Sequence, residues 1–198
     1  LILEQNFLTK NIYNNDNNGF NRVLYSRKVH NKIFGGQEID TLNLHANSHI
    51  FHDINVANVL TKGVSLTSLQ PSERLMYGEF KPPTDNSFYD STFLSLLGIK
   101  YLLIFQNEKI YGNWKQLNLS SGKWGIYVLY ENLDYTNRLP LLKSFSNCEY
   151  IDLKCLKEEK NIIYSNNASY YIDKANNEVV IKSKNNPGEK ILLPIMYH

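Results

Sequence analysis

Asp90-Ser91-Thr92-Phe93-Leu94-Ser95-Leu96-Leu97-Gly98-Ile99-Lys100-Tyr101-Leu102-Leu103-Ile104-Phe105 is the stretch whose reading decides the fold. Asp90 or Ser91 can cap a helix over Thr92–Leu97, because a short oxygen-bearing side chain accepts one of the amides that a helix start leaves unbonded. Gly98 ends that helix without a steric penalty in the left-handed region. The run Lys100–Gln106 that follows is apolar on both faces of an extended chain and rich in β-forming residues, which predicts a strand buried inside a sheet. Lys100 stands at its start, where the ammonium reaches water past an apolar stem. A helix passing through glycine into a buried strand is an α/β unit, and the rest of the chain is read outward from it.

Downstream the pattern turns to antiparallel β structure. Trp114–Leu119, a turn at Ser120-Ser121-Gly122 and Trp124–Tyr130 read as a hairpin. Further strands are expected at Leu141–Phe145, Tyr150–Leu156, Asn161–Ser165, Ala168–Asp173, Glu178–Ser183 and Lys190–Met196, joined by Asn-rich or charged turns. Upstream, Leu1–Asn11 carries apolar residues near helical spacing, and Asn14-Asn15-Asp16-Asn17-Asn18-Gly19 is a loop. Asn21–Phe34 reads as strand ended by Gly35-Gly36, Leu42–Leu60 as loops and short turns, and Pro71–Phe80 as a helix capped by Thr67 or Ser68 and stopped by Pro82-Pro83. The expected class is α+β: a mixed sheet with short helices over residues 1–112 and an antiparallel β-rich part over 113–198, packed together as one unit.

Bulk properties remove several function classes. A hydrophobic fraction of 42% excludes a disordered chain. The formal charge of +2, from 21 basic and 19 acidic residues, gives no field that draws nucleic acid onto the surface, and lysines and carboxylates alternate, as in Lys154–Lys160. The longest apolar stretch, Phe93–Phe105, is interrupted by Lys100 and falls short of the roughly 20 residues a membrane span needs. Leu1 in place of Met, with no charged segment leading into an apolar one, is expected of a segment excised from a longer polypeptide. Cys148 and Cys155 lie in an alternating segment. A strand holds two such residues too far apart to bond unless the chain turns between them, so two free thiols is the preferred reading and a Cys148–Cys155 disulfide the alternative.

Candidate chemistry is sparse. His45, His49, His52 and Asp53 form the densest ligand-type cluster, and on one helix face the histidines would present imidazoles to zinc; in loops the same side chains simply donate to backbone carbonyls. No GxSxG elbow, HExxH or Walker loop occurs, so neither a nucleophile nor a cofactor is indicated. Paired carboxylates for glycoside hydrolysis, such as Asp85 with Asp90 or Glu108 with Glu131, equally read as solvated loop charge. Sugar binding without chemistry needs aromatic faces and planar amides, and 14 Tyr, two Trp and abundant Asn supply them. Tyr111, Trp114 and Trp124 are the carbohydrate-binding candidates, beside core packing as the alternative role of at least one Trp.

Several pieces in order resemble the large extracytoplasmic region of YfhO-type bacterial membrane proteins: Phe20-Asn21-Arg22-Val23, His52-Asp53-Ile54-Asn55, Leu96-Leu97-Gly98-Ile99-Lys100-Tyr101-Leu102-Leu103, Tyr130-Glu131-Asn132-Leu133 and Arg138-Leu139-Pro140. The resemblance spans about Phe20–Phe145. The chain departs from that pattern with Val56 or Ala57 in place of a glycine and Leu141 in place of a basic residue. It implies a parent related to lipid-linked-sugar glycosyltransferases that modifies envelope polymers such as lipoteichoic acid. On that reading this chain is a non-catalytic accessory domain at the outer face of the membrane, working beside the parent's membrane helices and a cell-envelope glycopolymer. A free-standing surface carbohydrate-binding module and a secreted glycoside hydrolase are the alternatives from other classes.

Overall fold

A computed structural model describes residues 7–12, 22–29, 32, 55–56, 89–147, 155, 159, 161–173, 178–184 and 190–192. Its elements in chain order are α1 (Phe7–Ile12), β1 (Arg22–Tyr25), β2 (Asn55–Val56), α2 (Ser91–Leu96), β3 (Tyr101–Phe105), β4 (Trp114–Gly122), β5 (Gly125–Asn132), β6 (Arg138–Pro140), a 3-10 turn over Leu142–Phe145, β7 (Tyr164–Asp173) and β8 (Glu178–Ser183). They build a five-stranded mixed sheet in the order β2-β1-β3-β5-β4 and a three-stranded antiparallel sheet in the order β6-β7-β8. The architecture is α+β, with parallel pairing of β1 to β2 and β3 and antiparallel pairing of β3 to β5 and β5 to β4.

The unit around Gly98 forms as its residues dictate. Asp90 is the cap, its carboxylate accepting the Phe93 amide at 3.0 Å, and Ser91 is the first helical residue. Gly98 takes φ 69°, and the chain enters β3, all five residues of which are buried. Alternation along the strands divides the core between the two faces of the large sheet. Leu24, Leu102, Ile104 and Val128 pack on one face under α2, together with Phe145 and Cys155. Val23, Tyr25, Tyr101, Leu103, Phe105, Tyr127 and Leu129 pack on the other, with Leu8 and Ile12 of α1. A smaller cluster of Leu139, Ala168 and Tyr170 belongs to the second sheet.

Several expectations change in position or type, and the span Leu42–Leu60, expected as loops and turns, contains the short strand β2. The first strand stops at Tyr25, because the Ser26 hydroxyl accepts the Val29 amide at 3.2 Å and starts a helical turn over 27–29. The hairpin turns at Lys123-Trp124, between the paired Gly122 and Gly125, and not at Ser120-Ser121-Gly122. Gly125, at φ 143°, supplies the backbone freedom that closes it. Leu141–Phe145 is a bridge residue followed by a 3-10 turn, held by the Ser144 hydroxyl accepting the Ile163 amide at 2.9 Å. Of the strand expected over Tyr150–Leu156 only Cys155 is among the described residues, and it lies in helical backbone, its carbonyl accepting the Glu159 amide at 3.1 Å.

The Asn-rich break expected between Ser165 and Ala168 is absorbed as an irregularity within β7. Arg138 pairs with Ser169 while Pro140 pairs with Tyr164, and the Ser165 hydroxyl accepts the amides of Asn167 and Ala168 at 3.1 and 3.0 Å. The expected helix over Pro71–Phe80 lies outside the described residues, as does the end of the last strand beyond Leu192. Among the described residues no helix is long and apolar enough to cross a membrane.

Candidate binding face

Tyr111 and Trp114 come together where the connection from β3 to β4 passes the start of α2. Asp90 and Tyr111 form a parallel bridge, with the Ser91 amide donating to the Tyr111 carbonyl at 3.1 Å and the Tyr111 amide to the Tyr89 carbonyl at 3.1 Å. Gly112 sits at φ 86°, and a Cβ there would collide with the Ser91 side chain, so only glycine lets the Tyr111 loop lie this close to the helix. The Trp114 indole N–H donates to the Tyr111 carbonyl at 2.8 Å and reaches the Tyr89 carbonyl at 3.3 Å, while its ring packs on the core under α2. Tyr111 remains 45% exposed.

Trp124 does not join them. It stands at the far end of the hairpin, roughly 25 Å along the strands by their rise per residue, and packs against the core of the opposite sheet face. Lys123 Nζ lies 5.8 Å from its ring centroid. What does stand beside Trp114 is Tyr130: Trp114 pairs with Asn132 and Gln116 with Tyr130, which puts Trp114, Gln116 and Tyr130 on one face. Tyr130 is half-buried against the same core as Trp114, and Gln116 is exposed. Two aromatic rings, an exposed phenol and a planar amide are the groups that grip a sugar ring. Gln116 and Tyr130 were legible only through the hairpin register, which the misplaced turn obscures.

A polar node lies around the start of α2. The Asp134 carboxylate accepts from the Ser91 and Thr92 hydroxyls and, at 2.8 Å, from the Asn113 side-chain amide. The Ser91 hydroxyl oxygen in turn accepts the Asn113 amide at 2.8 Å, and Ser95 donates to the Asp134 carbonyl at 3.0 Å. A second node closes the carboxyl ends of β1 and β3: Glu108 accepts from the Ser26 hydroxyl and the Phe105 amide, and the Tyr89 phenol accepts the Arg27 amide at 3.0 Å. Burial pushes the Tyr89 phenol up to about 12, against the Arg27 bond, so it stays protonated at neutral pH.

Each node pairs a serine with a carboxylate, yet both serines are fully buried and both spend their oxygens on backbone amides. Neither is presented for attack on a substrate. Desolvation likewise raises Tyr164 and Tyr170, on the second sheet.

The candidate cluster His45, His49, His52 and Asp53 lies outside the described residues, as does every histidine of the chain. Among the described residues no group of three His, Cys, Asp or Glu side chains is placed to hold a metal. The expectation of two free thiols is overturned: Cys155 is disulfide-bonded, and Cys148 is the one other cysteine of the sequence. Cys155 has helical and not extended backbone, so the strand geometry on which the expectation stood does not hold at that residue.

Compared with known proteins, the chain matches no protein-family model, no curated protein and no solved structure.

Proposed function

We propose that this chain is a non-catalytic accessory domain on the extracytoplasmic face of a YfhO-type bacterial membrane protein, where it works beside the parent's membrane helices in teichoic-acid-type glycosylation of the envelope. The observation that carries this reading is the disulfide at Cys155. Disulfides persist in oxidising compartments and are reduced in the bacterial cytosol. The resemblance carried by Arg22-Val23, Leu96–Leu103 and Asn132 is the other support, and these residues build β1, the passage from α2 into β3, and the end of β5. The face of Tyr111, Trp114, Gln116 and Tyr130 is where a glycopolymer would lie, and Trp124 has no part in it.

A free-standing carbohydrate-binding module is the second reading, favoured by that same face. Hydrophobic spans flanking the segment in its gene decide against it. Compartment is tested by thiol labelling of the full-length parent in intact cells, with a membrane-impermeant reductant followed by denaturation and maleimide. Cysteine that becomes reactive only after external reduction supports the outer-face reading; cysteine already reduced in untreated cells defeats it. Titration with teichoic-acid-type polymer then reads the face, with Trp114→Ala expected to weaken binding about tenfold and Trp124→Ala to leave it unchanged.

A further inference from the structure

Among the described residues four named strands stand at sheet edges, β2, β4, β6 and β8, and the outer side of β6 is partly taken by residues 190–192, whose Leu192 amide donates to the Pro140 carbonyl at 2.8 Å. Three are poor templates for pairing with another chain. The strand β2 has two residues, and β6 has three and ends in Pro140. The long edge β4 is irregular in register between Gln116 and Asn118, the Leu119 amide is taken by the Asn118 side chain at 2.8 Å, and Asn118 is held by Asn11 of α1 at 2.8 Å. These are devices that blunt an edge. The remaining edge, β8, is six residues in unbroken register with β7, without Pro, Gly or bulge.

The register fixes which groups of β8 look outward. The Lys184 amide donates to the Asn167 carbonyl at 2.9 Å, next to the pair Ala168 and Ser183. Hydrogen-bonded and non-bonded pairs alternate along an antiparallel ladder. Residues 178, 180 and 182 therefore bond to β7, and the backbone groups of residues 179, 181 and 183 point to the open edge. Ile181 is 41% exposed there, although Tyr170 directly across from it is buried. Among the described residues the second sheet has the smallest of the three cores.

We propose that β8 is an interface for a second copy of this chain, pairing antiparallel with its own counterpart about a two-fold axis through Val180. That register sets position 179 opposite position 181, so outward backbone groups meet outward backbone groups. It sets Glu178 across from Lys182 of the second copy, twice by symmetry, with Val, Val and Ile between. A lone lysine on an edge repels a second strand, whereas a glutamate at the symmetry-related position turns the same lysine into a register key. The inference rests on the edge geometry and is independent of the glycosylation reading.

A six-residue edge is a small interface, so the dimer is weak and calls for sedimentation equilibrium on the 198-residue chain over about 5 µM to 1 mM. The wild type is expected to dimerise in that range. Glu178→Lys or Lys182→Glu alone places like charges opposite each other at two symmetric sites and weakens the dimer about tenfold. The double swap restores it to within about threefold, with unchanged far-UV circular dichroism in all three. A protein that stays monomeric throughout, a dimer indifferent to the single swaps, or a rescue obtained with Lys184→Glu in place of Lys182→Glu overturns the proposal.

Discussion

The side-chain amide of Asn132 donates to the Ser91 carbonyl at 2.8 Å and, with its other hydrogen, to the Ile99 carbonyl at 3.1 Å. One residue at the end of β5 thus joins the start of α2 to the start of the chain's central strand. Its oxygen accepts the Asp134 amide at 3.0 Å, its backbone amide donates to the Lys100 carbonyl at 2.8 Å, and it is 3% exposed.

Asn132→Leu strands two buried carbonyls and one amide, and an unsatisfied buried polar group costs about 1–3 kcal/mol. The variant is expected to lose about 3–4 kcal/mol in urea unfolding. Asn132→Asp should fare no better, because a carboxylate offers no donor to either carbonyl. Near-wild-type midpoints for both would mean that the junction is held by other contacts.

Gly112→Ala faces a strained φ and a collision with Ser91, whereas Gly98→Ala meets the left-handed penalty of about 1–2 kcal/mol. The Gly112 variant is therefore expected to be the less stable of the two by at least about 1 kcal/mol. Fluorescence of Trp114, whose indole bonds to the Tyr111 carbonyl, should shift to the red in the Gly112 variant alone.

Alkaline pH should weaken the fold through Tyr89. Its phenol titrates near 10 in the unfolded chain and at about 12 when folded, so the unfolded state binds fewer protons between those values. Stability is full below pH 10 and falls as the pH rises toward 12, by on the order of 2 kcal/mol from this group. Tyr164 and Tyr170, raised in the same direction, steepen the decline. Tyr89→Phe is expected to flatten the slope over pH 10–12 in denaturant titrations at stepped pH.

Cys155→Ser removes the disulfide from a position buried in the core under α2. A loss of about 2–4 kcal/mol is expected. Reducing agent should lower the melting temperature of the wild type and leave that of the variant unmoved.

Local chemistry made the centre of the molecule readable. Asp90, Gly98 and the unbroken apolar run act within a few residues of one another, so the cap, the helix stop and the buried strand follow from sequence. Glu178–Ser183 was readable for the same reason, because its β-branched residues have no competing signal. What misled were residues whose side chains serve two purposes. Ser26 ends a strand by capping a turn, and Ser165 lets an Asn-rich segment stay inside a strand by satisfying its amides. Of the expected site, Tyr111 and Trp114 were near in sequence and are near in space. Trp124 was near in sequence only, since a hairpin carries its tip away from its base and one step of register moves a side chain to the opposite face.

The parallel pairing of Val23 with Tyr101 and of Leu24 with Leu102 has a consequence for how the chain is made. The strand holding Val23, Leu24 and Tyr25 leaves the ribosome long before the partner that buries it, whereas the two arms of the β4–β5 hairpin emerge almost together. Each nascent chain therefore holds this apolar strand without its partner while the residues between Tyr25 and Tyr101 are made, and depends on a holding factor or on speed to bring it safely to its place.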